Sequence, residues 1–436
     1  MRPSERRVSF HPFQAQRRPF GSTRVNENKP VWPIGSLVVL TGLNLLDYLD
    51  RQLLAAVLTP IKVELALSDE QLGTLQSAFM WGYFLTAPVF GYLSDRWPRR
   101  WLVAAGVFVW SLGTLLSGHA SALTSLIFFR VLVGFGEASF GTISPGWIAD
   151  LFSPARRNNA ISIFYLAIPV GSALGYILGS TIAAHHGWRA AFQWAGYPGL
   201  VLALVLFLLR EPRRGASETA ADSPAASAPA GWRAYLQLFK FPRYLLVIAG
   251  YVAQTFAMGG FALWAPTFLF RVHKMEFAAA GQFFGGALVL TGLSATLLGG
   301  FAATAWQRRT GRGYVWILAL SALCAAPAAF AAFTVADLFW AKVALGASMF
   351  FLFLSTGPVN TLILETVPVM MRTTAMAGSI FAIHMFGDLW SPRLIGYFSD
   401  RWDNLQRAVL WVLPGALLVS AFFWCLLVVR SRRTAE

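Results

Sequence analysis

Long apolar segments recur along the whole of this 436-residue chain and constrain its fold more than any other feature. A helical segment of roughly 20 residues crosses the hydrocarbon core of a bilayer, about 30 Å thick, because an α-helix rises about 1.5 Å per residue. Composition agrees, since 56% of the residues are hydrophobic and only 13% are charged. The runs fall at residues 33–58, 71–94, 101–118, 122–148, 158–184, 188–210, 244–270, 278–305, 313–333, 337–364, 374–398 and 406–430. We therefore predict an all-α membrane protein with twelve transmembrane helices.

Polar sequence separates the twelve spans into two groups of six. Residues 211–243 contain GASETAADSPAASAPAG, whose small residues and prolines cannot build a core, and they are predicted to form a flexible cytoplasmic linker. Residues 1–30 carry seven basic residues without a compact apolar stretch, which predicts a tail rather than a signal peptide. The predicted domains are a basic tail at 1–30, an N-terminal six-helix bundle at 31–210, the linker at 211–243, a C-terminal six-helix bundle at 244–430 and a short cytoplasmic tail at 431–436.

The formal net charge of +15 is placed so that it orients the chain in a membrane. Basic residues collect in the N-terminal tail and in alternate loops, for example at Arg99, Arg213, Arg308 and Arg372. By the positive-inside rule, these loops and both termini lie in the cytoplasm. Nucleic-acid binding is not expected from this distribution. Short loops without a targeting signal suit a bacterial inner membrane.

The two halves of the chain resemble each other. IADLFSPARRNNAISIF at 148–164 matches ILETVPVMMRTTAMAGSI at 363–380, so that Asp150 aligns with Glu365. Internal repeats of this kind are typical of secondary transporters built from two bundles around a central site.

Several motifs carry a resemblance to a known family. GYLSDRWPRR at 91–100 resembles the Gly-x-Leu-x-Asp-Arg-x-Gly-Arg-Arg signature that the major facilitator superfamily places between spans two and three, with Pro98 at the second glycine. LDYLDR in span one, RVLVGFGEASFGTISPGWIADLF and SIFYLAIPVGSALGYILG in spans four and five, and GDLWSPRLIGYFSDR in span eleven resemble the spinster subfamily.

The resemblance implies the major facilitator fold, in which two six-helix bundles are related by pseudo-twofold symmetry. It also implies a proton-linked or facilitative carrier of lysophospholipids or similar single-chain amphiphiles, working by alternating access. A tyrosine-x-aspartate-arginine motif in span one also occurs in symporters for sugar acids. Transport of small organic anions or drugs therefore stays open as an alternative.

Charges inside spans one and four give the strongest functional signal. NLLDYLDRQLL at 44–54 holds Asp47, Asp50 and Arg51, and span four adds Arg130 and Glu137. A charge in the bilayer core costs about 3 kcal/mol on insertion scales, so it persists where it pairs or lines a wet cavity. We predict a proton-sensitive switch in which Asp50 pairs with Arg130 or Arg51 and Glu137 is the second titrating acid. The structural alternative is a permanent salt bridge that only fixes helix register.

The loop after span two is predicted to be a gate. Asp95 ends this span and is expected to pair with Arg99, Arg156 or Arg157 and to bind a helix N-terminus of the other bundle. Asp150 and Glu365 are either members of the same network or ordinary interface residues. The complete gating set is Gly91, Asp95, Arg96, Arg99, Arg100, Asp150 and Arg157.

Span eleven supplies candidates for substrate binding. His384 and Asp388 are four residues apart, on one helix face, and are expected to contact a polar head group or relay a proton. An ordinary internal hydrogen bond is the alternative for His384. Arg393 is expected to meet an anionic head group or to snorkel to the surface. Tyr165 and Phe381 are predicted to line an apolar path for a lipid chain.

Other chemistries receive little support from the sequence. No serine or cysteine has a histidine at a motif spacing suited to nucleophilic catalysis, and there is no Walker-type phosphate loop, so neither an enzyme nor a cofactor is expected. The adjacent His185 and His186 are a weak metal signal, and no metal is predicted. The expected partners are a lipid-like substrate, protons and the bilayer, and the chain is expected to be a monomer.

Overall fold

The apolar runs form α-helices throughout the described part of the chain. The computed structural model describes residues 32–213, 232–368 and 371–433, and within these residues it contains no β-strand. The helices are α1 (Pro33–Ala56), α2 (Leu58–Leu65), α3 (Asp69–Ser94), α4 (Arg99–Ser117), α5 (Leu123–Leu151), α6 (Pro154–Leu208), α7 (Trp232–Leu238), α8 (Pro242–Arg271), α9 (Phe277–Thr310), α10 (Gly313–Thr334), α11 (Leu338–Leu354), α12 (Thr356–Glu365), α13 (Arg372–Ile383), α14 (Ser391–Trp402) and α15 (Leu405–Arg433). A π-helical turn at His384–Asp388 lies between α13 and α14.

Some predicted spans are interrupted. Helix α6 covers spans five and six and is broken at Gly187, whose φ of 81° is open to glycine but strained for other residues. Span ten is divided at Ser355, and span eleven contains the π-helical turn. By length and composition, eight helices of the described chain can cross a membrane, and α6 is long enough to do so on each side of Gly187.

The linker contains more structure than the sequence predicts. Its end forms α7, because WRAYLQL places apolar residues on one face of a short helix. The predicted tail at 1–30, the linker segment at 214–231 and residues 434–436 lie outside the described residues.

Buried apolar clusters show how the helices pack. We call α1–α6 the N-half and α8–α15 the C-half. One cluster around Trp110 and Trp147 lies within the N-half, and another around Trp424 lies within the C-half. A third joins the two halves and contains Leu54 and Trp264.

Small residues let the helices of one half approach closely. Where α4 and α5 cross, a Cβ added to Gly136 would lie 2.4 Å from the carbonyl oxygen of Gly106. Glycines at such crossings are the packing device of membrane helices, where burial of apolar surface supplies little attraction.

Candidate functional site

A cavity of about 550 Å³ lies between the two halves. Its walls come from α1, α3 and α6 on one side, and from α8, α9, α11, α12, α13, α14 and the π-helical turn on the other. The C-half wall combines apolar residues, such as Phe261, Leu288 and Met349, with polar ones that include His384 and Asp388. Arg51 and Tyr83 give the N-half wall a polar patch. A volume of this size suits a small molecule or the polar end of a larger one.

Arg51 is the point at which buried charges meet the cavity. Its Nε lies 2.7 Å from Oε2 of Glu137 and 3.4 Å from Oδ1 of Asp47. Both carboxylates are buried, with side chains 0% and 2% exposed, and neither lines the cavity, whereas Arg51 does. A solute in the cavity therefore contacts the Arg51 guanidinium group, which in turn contacts the two acids.

Aromatic rings hold the Arg51 guanidinium in place. Its central carbon lies 4.7 Å from the ring centroid of Tyr48, 5.1 Å from that of Tyr83 and 5.4 Å from that of Phe79. A cation over ring faces at these distances gains about 0.5–2 kcal/mol per favourable contact. All three rings also line the cavity, so they form an aromatic collar around the charge.

The predicted pairing of Asp50 with Arg130 or Arg51 is not formed in this structure. Asp50 accepts a hydrogen bond from Oγ1 of Thr114 at 3.0 Å, and it makes no ion pair with Arg130 or Arg51 in the described chain. Successive helix residues are rotated by about 100°, so Asp50 faces α4 while Arg51 faces α5 and the cavity. The guanidinium carbon of Arg130 lies 4.8 Å from the ring centroid of Phe79. Arg130 is also close enough to Asp50 for their charges to interact.

The π-helical turn brings the predicted pair on span eleven into the cavity wall. Nδ1 of His384 lies 3.0 Å from Oδ2 of Asp388, and both residues line the cavity. The turn closes with the backbone N–H of Leu389 donating to the carbonyl oxygen of His384, five residues earlier. Such π-helical insertions recur at functional sites because they redirect side chains that a regular helix would stack.

The other substrate candidates lie outside the cavity. Arg393 is half exposed, and its guanidinium group donates to Oε1 of Glu70 at 2.8 Å. Phe381 is 48% exposed and packs against the ring of Phe84. Tyr165 is 46% exposed and contacts only its aromatic neighbour Phe164 among the described rings.

Sequence reasoning missed several polar residues of the cavity. The hydroxyl of Tyr176 donates to Oε1 of Gln52 at 2.8 Å, which links α6 to α1. Nε2 of Gln254 donates to Oγ of Ser355 at 2.7 Å, at the break between α11 and α12. Neutral polar residues within apolar spans are the signal that would have found them.

One end of the molecule is held shut by a set of contacts between the halves, which we call the closed face. The Asp400 carboxylate accepts hydrogen bonds from the backbone N–H groups of Asp69 and Glu70, at 2.8 and 2.7 Å. It thereby caps the N-terminus of α3, where the helix dipole favours a negative charge. Asp69 in turn pairs with Arg271 of α8 at 2.8 Å and with Lys62 of α2 at 2.6 Å.

Glycines bring α3 and α14 into backbone contact at the closed face. A Cβ on Gly396 would lie 2.2 Å from the carbonyl oxygen of Asp69, and a Cβ on Gly73 would lie 2.4 Å from that of Pro392. The sequence signal is the recurrence of GYLSDR at 91–96 as GYFSDR at 396–401. In the second copy the glycine, serine and aspartate all contact the start of α3.

The first copy lies at the other end of α3. There Arg99 donates to Asp150 at 2.5 Å and to Glu211 at 3.1 Å, so Arg99 is not the partner of Asp95. These contacts tie the start of α4 to the end of α5 and to the chain leaving α6.

The rest of the gating set lies around this point. The guanidinium carbon of Arg96 lies 3.5 Å from the ring centroid of Tyr92. The backbone N–H of Arg100 donates to Glu211. Asp95 is exposed at the end of α3, and Gly91 has room for a Cβ, with Thr142 at 3.8 Å.

Near the closed face, Glu64 joins α2 to α6. Nε1 of Trp188 donates to Glu64 at 2.6 Å, and the Arg189 guanidinium donates to the same carboxylate. The hydrogen bond from Trp188 and that from Arg189 lower the pKa of Glu64. Within the described residues no group of three or more His, Cys, Asp or Glu is arranged for a metal ion.

Comparisons with known proteins match this architecture. A family model of the Major Facilitator Superfamily matches residues 40–387. Protein spinster homolog 1 of Xenopus tropicalis is 36% identical over 388 residues, covering 84% of this chain and 72% of that protein. The human Protein spinster homolog 1 is 36% identical over 413 residues, covering 88% of this chain and 77% of that protein. A solved bacterial homologue of the human lysosomal transporter Spinster superposes with a TM-score of 0.78 at 23% identity, covering 91% and 95% of the two chains.

A multi-pass helical protein with a cavity between two halves and this family match is a membrane transporter, and the chain belongs to the major facilitator superfamily. Within it, the identity to the spinster proteins places the chain in the spinster family. The predicted fold class and family resemblance are confirmed. This is a family of transporters and not of enzymes.

Proposed function

We propose that this protein is a secondary active transporter that couples proton movement to the passage of a lysophospholipid or a related single-chain amphiphile by alternating access. The observation that carries the proposal is the position of Arg51, which joins two buried acids to the cavity wall. Protons and cargo thereby act on the same side chain.

Counting charges supports proton coupling. The cluster holds three carboxylates, Asp47, Asp50 and Glu137, and two guanidinium groups, Arg51 and Arg130. With all five ionised the net charge is −1, and one bound proton makes the cluster neutral. Because a net charge buried in a membrane is costly, uptake of one proton favours states in which the cluster is dry.

The two copies of the GY-x-SDR motif support alternating access. In this structure the second copy, with Asp400, caps α3 and closes one face. The first copy, with Gly91 and Asp95, lies at the opposite end of the same helix. We propose that in the alternate state Asp95 caps α13 in the same way, while Asp150 and Arg157 support the loop from within the N-half. The transition between the two states then breaks the cap on α3 and forms the cap on α13.

The walls of the cavity support an amphiphilic cargo. Polar groups lie on both sides of the cavity, at Arg51 and Tyr83 and at His384 and Asp388, and the C-half also offers apolar surface at Phe261 and Met349. His384 and Asp388 are proposed to contact the head group. The same polar patch also fits a small organic anion without a chain, which is the second candidate.

The placement in the membrane is also part of the proposal. The face bearing Arg99 and Arg308 is assigned to the cytoplasm, together with both termini, by the positive-inside rule. The closed face is then the outer one, and the state described here is open toward the cytoplasm. We assign the protein to a bacterial inner membrane, as a monomer.

A competition assay separates the two cargo classes. Purified protein in proteoliposomes is given a fluorescent lysophospholipid, with or without an excess of a small sugar acid such as gluconate. We expect lysolipid movement that gluconate leaves unchanged. Movement of gluconate without lysolipid movement, in protein whose thermal unfolding is normal, would overturn the lipid assignment in favour of the second candidate.

A further inference from the structure

A second, larger concavity lies on the outside of the C-half. Its volume is about 1120 Å³, and its walls come from α7, α8, α13 and α15, the π-helical turn and the α7–α8 turn. Almost every lining side chain is apolar, and several are aromatic, such as Phe256, Phe386 and Phe423. We call it the lateral groove.

The cytoplasmic linker closes one end of the lateral groove. Helix α7 packs directly on α13, since a Cβ on Gly378 would lie 3.0 Å from Cδ1 of Leu238. The hydroxyl of Tyr244 donates to the carbonyl oxygen of Ala375 at 2.9 Å and fixes α8 against the same helix. The lateral groove is therefore a recess whose one end is covered by α7.

Cations lie at this roofed end. Lys240 and Arg243, in and just after the turn between α7 and α8, are exposed, and neither forms an ion pair within 4 Å among the described residues. Glu365 is within electrostatic range of Arg243, so Lys240 carries the less compensated charge. An anionic group at the membrane surface is attracted to such a site.

The length of the groove matches one leaflet. From Tyr244 to Phe256, α8 rises about 18 Å, slightly more than half of the hydrocarbon core of about 30 Å. A single lipid chain lying along this wall would place its head group at the end of the groove next to Lys240.

Only one layer of helix separates the groove from the central cavity. On α8, Tyr251 faces the cavity and Val252 faces the groove. In the π-helical turn, His384 faces the cavity and Phe386 faces the groove. This shared wall therefore includes a π-helical turn, an element that is frequent at functional sites.

We propose that the lateral groove binds an anionic single-chain amphiphile taken from the bilayer, with its chain along α8 and its head group at Lys240 and Arg243. The chemical class of this ligand rests on the proposed function, whereas the existence of the site does not. The site is a waiting position for cargo beside the cavity, and the linker helix forms part of it.

Photolabelling tests this proposal in the intact protein. The probe is lysophosphatidylglycerol with a diazirine in its acyl chain, added to protein in nanodiscs of phosphatidylethanolamine, with labelled peptides mapped after proteolysis. We expect labelling of α8 and α13 at groove positions. Labelling by the zwitterionic lysophosphatidylcholine analogue is expected to be weaker, by about fivefold for each contact with a cationic side chain that this analogue loses. Lys240→Gln is expected to reduce the anionic probe's labelling to the same extent.

Groove-filling variants provide the matched comparison. Ala249→Phe and Ala416→Phe place a ring inside the groove and are expected to reduce labelling by about tenfold. Ala302→Phe, on an exposed face of α9, is the control and is expected to leave labelling unchanged. Equal labelling of all lipid-facing helices, unaffected by Ala249→Phe, would overturn the site and indicate bulk lipid contact.

Transport is scored separately in the same preparations. A labelled groove in a protein that moves no lysolipid would preserve the site and defeat the proposed function. Lysolipid transport without groove labelling would preserve the function and defeat the site.

Discussion

At the scale of single residues, Arg51 carries most of the argument because one planar group serves two acids and three rings. Its Nε lies 2.7 Å from Glu137, and the ring centroids of Tyr48 and Tyr83 lie 4.7 and 5.1 Å away. A lysine ammonium is a compact, strongly hydrated point charge that cannot reproduce this planar arrangement.

Arg51→Lys is therefore expected to reduce transport by about tenfold although the charge is kept. The measurement is the initial rate of lysolipid movement in proteoliposomes. Arg308→Lys, at an exposed position near the end of α9, is the control. A rate equal to wild type in Arg51→Lys would show that only the charge matters there.

The tether at Glu64 gives a pH prediction. Because hydrogen bonds from Trp188 and Arg189 lower its folded-state pKa, the ionised carboxylate stabilises the α2–α6 contact above the ordinary carboxyl pKa of about 4.3. This contribution is lost as the pH falls through the lowered folded-state pKa.

We expect the hydrogen-exchange protection of α2, taken relative to the intrinsic exchange rate at each pH, to fall at acidic pH in wild type, whereas Glu64→Gln is already less protected at neutral pH and changes less on acidification. Exchange mass spectrometry across this pH range measures it. An identical acid response of the two proteins would show that Glu64 does not control the contact.

Residue pairing was only partly predictable. The sequence predicts that the acids and bases of spans one and four meet, because their depths agree and buried charges need partners. It cannot decide between Asp50 and Asp47 as the neighbour of Arg51, since that choice depends on the rotation of α1 against α5. Asp50 instead accepts a hydrogen bond from Thr114, a residue that nothing in the sequence singles out.

At the scale of elements, the closed face is a contact between α14 and the start of α3. Asp400 supplies a charge and two hydrogen-bond acceptors to the helix N-terminus. Such contacts contribute about 1 kcal/mol each when exposed and more when partly buried.

Asp400→Asn is expected to shift the equilibrium toward the state open at this face by about fivefold. A cysteine at Gln76, which lines the cavity, reports the shift through its reaction rate with a membrane-impermeant thiol reagent, in a chain lacking Cys324 and Cys425. Asp403→Asn is the control, because Asp403 is exposed just beyond α14. Equal reaction rates in both variants would contradict the proposed cap.

Glycine packing at the same interface gives an independent prediction. Gly396→Ala would place a Cβ 2.2 Å from the carbonyl oxygen of Asp69, so α3 and α14 must separate at a cost of about 1–3 kcal/mol. We expect a lower melting temperature and a faster reaction at position 76. Gly415→Ala, with nothing within 4 Å, is expected to change neither. Normal stability and reactivity of Gly396→Ala would show that the helices are not held this closely.

The elements themselves were largely predictable, because apolar length sets the position of a membrane helix. The breaks were not. The interruptions at Ser355 and at the π-helical turn depend on side chains from other helices, such as Gln254, which donates to Ser355. The short helix α7 was missed because the flanking linker composition masked its apolar face.

At the scale of the whole molecule, the internal repeat predicts two halves but not the conformation in which they meet. Closure at one face depends on contacts such as Asp69 with Arg271, which join residues far apart in the chain. The lateral groove had one sequence signal, because Phe381, which was predicted for the path of a lipid chain, lines it. Tyr165, predicted for the same path as an aromatic residue of its span, lines neither the groove nor the central cavity.

The central claim is that protons act on cargo through the cluster at Arg51. Its most direct test is lysolipid flux in proteoliposomes under an imposed pH gradient, comparing wild type with Glu137→Gln and Asp50→Asn. Asp337→Asn is the control, because it keeps a good helix cap at α11 without touching the cluster. We predict that the gradient accelerates flux in wild type and Asp337→Asn, whereas Glu137→Gln and Asp50→Asn still exchange lysolipid but no longer respond to the gradient. A full gradient response in Glu137→Gln and Asp50→Asn would contradict the account.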